Sequence, residues 1–184
     1  ELWDLFNYGR GLKKDKDPFA ELFKRFENEY ETDLRALLNC VMQDTKGSKR
    51  GVVVIPSSKR GNTNRVTELV RRTLASNPGP FADLTGNFVR SQEKDAAHEG
   101  GDRSIAGNAR TLEVRPRGAL LQFGTILVVD DIVTSGNSFR AADEVLRAAG
   151  FKGTIVNFAF SRTFPSDGAM LCLEAKRDER HIIY

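Results

Sequence analysis

Cysteine is scarce in this chain. Cys40 and Cys172 are the only two in 184 residues, they lie far apart, and neither has a close Cys or His partner. That excludes a disulfide framework and a zinc site of ordinary spacing, and a reduced, cytoplasmic setting is expected. Long apolar runs are missing too: nothing approaches the roughly 18 residues that a bilayer helix needs, so no membrane span is expected. Nor is there an excess of one charge, since 28 Lys and Arg against 25 Asp and Glu leave a net charge of only +3. This balance does not indicate nucleic acid, whose partners carry a basic face. A signal-peptide pattern is absent after Glu1, and this non-methionine start reads as a trimmed or fused end with something upstream.

What is present suits a globular chain, 40% hydrophobic and 29% charged. Its length fits one domain, 1–184, comprising a helical N-terminal or hood segment (1–48), a core (49–165) and a C-terminal tail (166–184). Phe19, Leu22, Phe23, Phe26 and Tyr30 recur at helical spacing after Pro18, continued by Leu34, Leu37, Leu38 and Val41, and read as core. "GVVVIP" reads as a buried strand, followed by a helix from about Thr63 through Val66, Leu69, Val70 and Leu74. "TILVVD" is a second strand, Ser138 to Ala149 a helix closed by Gly150, and "GTIVNFAFS" a third strand. The tail suggests a short helix at 169–174 and an edge strand at "HIIY". Alternating strands and helices imply an α/β fold, an open, mostly parallel twisted sheet flanked by helices.

Two further segments carry polar information. Between Gly86 and Gly118 there is little periodicity and much charge, so the segment reads as functional or disordered, and with short strand pieces near 88–90 and 112–114 it would be a mobile hairpin-like excursion. Lys46, Lys49, Arg50, Lys59, Arg60 and Arg65 surround the first strand and would favour a small polyanion, whereas Arg71 and Arg72 read as a solvated helix face.

The most informative stretch is "ILVVDDIVTSGNS", residues 126–138. In open α/β sheets ligands bind beyond the carboxyl ends of the strands. Thr134 to Ser138 fall between a strand end and a helix start, where backbone N–H groups, the helix dipole and three hydroxyls can converge on a phosphate. Gly136 would let the backbone approach closely. Asp130 and Asp131 would repel that phosphate, and suit instead sugar hydroxyls or a hydrated magnesium ion. A strand ending in Asp-Asp also occurs in Walker B segments, but no G-x-x-x-x-G-K-[ST] accompanies it, and in receiver domains, which need more strands than the 53 residues after Asp131 can supply.

Over all thirteen residues the stretch resembles the phosphoribosyl pyrophosphate signature of the type I phosphoribosyltransferases. The resemblance implies a Rossmann-like fold with a small hood and a mobile lid, Mg2+ as cofactor and phosphoribosyl transfer to a nitrogen acceptor such as a nucleobase, with inversion and release of pyrophosphate. It also implies roles. Asp130 and Asp131 would hold the ribose hydroxyls and, through water, the metal, while Thr134, Ser135, Gly136, Asn137 and Ser138 would take the 5′-phosphate. Ser57, Ser58, Lys59 and Arg60 stand where the family places its pyrophosphate loop. The chain is further similar to ComF-type domains over 51–163: "KRGNTN" offers Arg60, Gly61 and Asn62 or Asn64, "FVRSQ" offers Arg90 and Gln92, and "GDRSIAGN" offers Arg103 and Asn108. The family's cysteine-rich zinc module is not in this sequence. Arg90 and Arg103 thereby join the acidic pair as expected catalytic residues, and 90–117 as the expected lid, with Lys94, His98 and Arg103 as its contacts to pyrophosphate. His98 reads either as a proton donor or as a surface residue, and His181 carries no motif. The N-terminal helix with Trp3, Phe6 and Tyr8, or the C-terminal tail, would form the hood. A ligand sensor without catalysis, an interaction domain in a larger competence or defence assembly, a homodimer and a fused upstream domain all remain compatible.

Overall fold

The computed structural model of the protein describes residues 6–9, 27–45, 47–57, 64–76, 79–92 and 104–164. In chain order these form β1 (Phe6–Gly9), α1 (Glu27–Asp44), β2 (Arg50–Val54), α2 (Arg65–Ser76), β3 (Phe81–Asp83), β4 (Phe88–Arg90), α3 (Ile105–Ala109), β5 (Leu112–Val114), β6 (Thr125–Val133), α4 (Asn137–Ala148) and β7 (Thr154–Phe164). Five strands make one sheet in the order β1-β7-β6-β2-β3, every pairing parallel, and β4 and β5 form a separate antiparallel pair. The architecture is α/β with a parallel sheet flanked by helices, compatible with a Rossmann-like fold.

The central strands carry continuous apolar runs, Val52–Val54 in β2 and Ile126–Val129 in β6, because both faces of the sheet are covered there. Val52, Val54, Leu127, Val129, Val156, Phe158 and Phe160 pack with Tyr30, Leu34 and Val41 of α1 and Val66, Leu69 and Val70 of α2. Val53, Ile55, Ile126, Val128 and Ala159 pack on the other face with Phe139, Ala142 and Leu146 of α4 and with Phe88, Leu112 and Val114 of the hairpin. The stretch 27–44, within the segment expected as a hood, is therefore a layer of the core. The aromatic stripe at 19–26, Trp3 and the C-terminal tail with its expected helix and strand lie outside the described residues. Phe6 and Tyr8 belong to an edge strand beside β7.

Chain order fixes where a ligand would sit. From β2 the chain moves outward to β3 by way of α2 on one face, then crosses to β6 on the opposite side of β2 and continues to β7 by way of α4 on the other face. Right-handed crossovers impose that change of face when the direction of winding reverses. The reversal lies between β2 and β6, and beyond the carboxyl ends of such a pair the two connections diverge and leave a crevice.

At the opposite end of the sheet Gly153 has no room for a side chain. A Cβ on Gly153 would lie 2.2 Å from the Gly124 carbonyl oxygen and 2.7 Å from the Phe151 ring. That carbonyl already accepts the Thr154 N–H at 2.9 Å, so the backbone cannot withdraw. Gly153→Ala is expected to cost about 1–3 kcal/mol, read as a lower urea midpoint, and an unchanged midpoint would show that the junction yields.

Candidate functional site

The candidate site is built from the ends of two neighbouring strands. Val54 is paired with Val129, and the Ile55 N–H donates to the Val129 carbonyl at 2.9 Å, so the Pro56–Ser57 turn leaves β2 beside Asp130 and Asp131. The expected strand "TILVVD" continues through the acidic pair to Val133, because β7 goes on pairing with it at Asp130, Ile132 and Val133. The side-chain alternation slips there: Val129 and Ile132 both pack with the α1–α2 face, and Val133 with the α4 face. Each carboxylate accepts the next backbone N–H, Asp131 N to Asp130 Oδ1 at 2.9 Å and Ile132 N to Asp131 Oδ1 at 2.7 Å. Burial above all, and then the adjacent Asp131 charge, hold the Asp130 carboxyl well above the usual carboxylate range, with Arg90 opposing. Two carboxylates forced together in this way are a functional-site signal rather than a stabilising one.

Beyond Val133 the chain turns into α4 through Thr134, Ser135 and Gly136. Gly136 occupies the helix N-cap with φ +74° and makes no side-chain cap bond. The start of α4 therefore depends on backbone geometry, and Thr134, Gly136, Asn137 and Ser138 line a shallow depression together with Asp130, Ile132 and Val133. Four of the five expected phosphate-loop residues, all but Ser135, thus line one depression with Asp130, and Asp131 is not part of its lining. An added Cβ at Gly136 would meet nothing within 4 Å, so Gly136→Ala is expected to cost about 1–2 kcal/mol through its positive φ alone. Thermal unfolding measures this, and a variant as stable as the wild type would mean that the turn readjusts.

No protein-family model and no curated protein matches this chain.

On the β2 side, Ser57 is described, whereas Ser58, Lys59, Arg60, Gly61 and Asn62 lie outside the described residues. Asn64 caps α2: its Oδ1 accepts the Thr67 N–H and hydroxyl, both at 2.8 Å, and its Nδ2 donates to the Ile55 carbonyl at 3.3 Å. A second helix thus begins at the same end of the sheet, held to the strand that precedes it. Arg90, expected among the catalytic residues, is buried and donates to the Pro56 and Ser57 carbonyls. Arg103, Lys94 and His98 lie outside the described residues, as does His181.

The expected excursion has a built second half. Its strand pieces pair as β4 and β5, Phe88 with Val114 and Arg90 with Leu112. Ser104 Oγ accepts the Gly107 N–H at 2.9 Å to start α3, and Asn108, Thr111 and Leu112 are buried. The part of the expected lid from 104 onward is consequently folded against the core.

The basic cluster expected around β2 divides. Arg50 lies at the amino end of the strand, away from the crevice, where it donates to Thr45 Oγ1 at 2.6 Å, the Met42 carbonyl at 3.1 Å and the Thr45 carbonyl. Lys49 reaches Gln122 at 3.4 Å. Arg71 and Arg72, read as a solvated face, pair with Asp83 at 3.6 Å and Glu31 at 3.0 Å.

Magnesium fits the donor set in one particular way. Among the described residues no group of three or more His, Cys, Asp or Glu could hold a metal ion. Asp130 and Asp131 provide hard oxygen donors whose crowded charge a cation would relieve. Magnesium is commonly held by one or two carboxylates together with ligand phosphates and water rather than by an all-protein cage.

Proposed function

We propose that the chain binds 5-phosphoribosyl 1-pyrophosphate with magnesium and acts as a type I phosphoribosyltransferase, passing the phosphoribosyl group to a nitrogen acceptor such as a nucleobase and releasing pyrophosphate. One observation carries the reading: the acidic pair and the small-residue loop at the start of α4 lie together at the carboxyl end of β6, where the winding of the sheet reverses. A ligand bearing a phosphate at one end and vicinal hydroxyls nearby meets both halves of this motif at once. Thr134 to Ser138 bind the 5′-phosphate through backbone N–H groups, hydroxyls and the dipole of α4. Asp130 and Asp131 accept hydrogen bonds from the ribose hydroxyls and orient the sugar. Ser57 and the residues after it in sequence, Ser58, Lys59 and Arg60, are assigned to the departing pyrophosphate, where stabilising developing charge lowers the barrier most. The metal supplies positive charge to the diphosphate when bound. The acceptor nitrogen bonds to the anomeric carbon as the bond to pyrophosphate breaks, and water is kept out of the cation-like transition state.

Incubation with magnesium, phosphoribosyl pyrophosphate and a panel of nucleobases, following pyrophosphate release, tests the proposal. Release that depends on one acceptor is the expected result. Ligand binding without release under any acceptor would make the chain a sensor, and absence of binding would remove the phosphoribosyl reading.

A further inference from the structure

A guanidinium in the interior is costly unless its donors are satisfied. Arg90 is 9% exposed, and it meets this demand on separate parts of the chain. Its Nε donates to the Ser57 carbonyl at 2.7 Å, one terminal nitrogen to the Pro56 carbonyl at 3.1 Å and the other to Thr111 Oγ1. The Thr111 hydroxyl donates onward to the Asn108 carbonyl at 3.0 Å, and the Asn108 amide donates to the Ser104 carbonyl at 3.0 Å. A run of hydrogen bonds therefore joins the base of the 104–111 segment to the turn that leaves β2. Asp130 is close enough for its charge to act on Arg90. Thr134 to Ser138 follow β6 and begin α4, and the side-chain bonds of Arg90 go to Pro56, Ser57 and Thr111 rather than to them.

We propose that Arg90 is a positioning residue that fixes the Pro56–Ser57 turn beside Asp130, so that the diphosphate half of the site depends on it and the 5′-phosphate half does not. This role rests on the phosphoribosyl reading. It also departs from the expected assignment of Arg90 to catalysis, because the guanidinium is directed at protein carbonyls. A planar fork suits two adjacent carbonyls and a hydroxyl in a way that the point charge of lysine does not.

The two halves of the ligand can be probed separately. Inorganic pyrophosphate and ribose 5-phosphate are titrated calorimetrically, with magnesium, into the full chain and into Arg90→Met, Arg90→Lys and Thr111→Val. In Arg90→Met pyrophosphate affinity is expected to fall about tenfold or more, the scale of lost charged hydrogen bonds, while ribose 5-phosphate affinity stays within about twofold. Arg90→Lys should recover part of the loss. Thr111→Val, which removes one anchor without touching the turn, should show a smaller loss in the same direction, and it carries the test if Arg90→Met does not fold. Equal weakening of both probes, or unchanged pyrophosphate binding, would overturn the role while leaving the phosphoribosyl reading in place. A wild type that binds neither probe would overturn both.

Discussion

Asp130→Asn is expected to lose phosphoribosyl pyrophosphate binding and, at neutral pH, to be more stable than the wild type. Asp130 ends an apolar strand run, next to Asp131, and burial followed by that neighbouring charge raises its carboxyl well above the ordinary value of 3.8. For an acid raised in the folded state, the folded chain binds more protons than the unfolded chain between the two values. Stability then falls as pH rises through that window, and the penalty is complete above the folded value. Asn keeps the shape and carries no charge, so its advantage should be on the order of 1 kcal/mol at neutral pH, the scale of typical single substitutions. It should vanish below about pH 3.8. Urea unfolding at neutral and acid pH, with calorimetric titration of the ligand, measures both effects. An Asn variant that is less stable at neutral pH, or one that still binds, would mean that the acidic pair is structural.

Ser138→Asp is expected to separate binding from stability by another route. Ser138 is in the first turn of α4 and lines the depression with Thr134 and Gly136. A carboxylate there favours the helix dipole by roughly 0.3–1 kcal/mol, so the fold should be unharmed or slightly firmer. The same carboxylate would occupy the place of the 5′-phosphate and repel it. Like charges brought together in a complex cost several kcal/mol, and affinity should fall on the order of 100-fold. Ribose 5-phosphate titration beside a thermal melt shows the outcome. Undiminished affinity would place the phosphate elsewhere, and a lower melting temperature would point to a packing role for Ser138.

Much of the core was legible because its signals are local. The β-branched runs of β2, β6 and β7 and the helical spacing of α2 and α4 stand in the sequence as they do in the fold, and the hairpin strands fall at 88–90 and 112–114 as expected. The motif at 126–138 was legible for a related reason, since a strand end, an acidic pair and a helix start are contiguous. β1 and β3 were missed. "FNYG" and "FAD" are short and rich in turn formers or aromatics, and they are strands only because β7 and β2 offer them an edge. The continuation of β6 past Asp131 likewise depends on β7. Arg50 and Arg90 look alike in sequence, two basic residues near apolar strands. One closes the α1–β2 corner at the far end of the sheet, and the other clamps a turn more than thirty residues away. Contacts at that separation leave no periodicity to read, so the acids, the loop and Arg90 itself could be named from the sequence, while the bonds of Arg90 to the Pro56 and Ser57 carbonyls needed the fold.

In the proposed reading, the acidic pair and the loop after it bind the two ends of a phosphoribosyl ligand. Calorimetric titration of phosphoribosyl pyrophosphate with magnesium into the wild type and into the Asp130→Asn, Asp131→Asn double variant tests it most directly. Saturable binding to a single site in the wild type, lost in a double variant that melts as a folded protein, is the predicted result. No binding to the wild type, or binding that survives in the double variant, would contradict it.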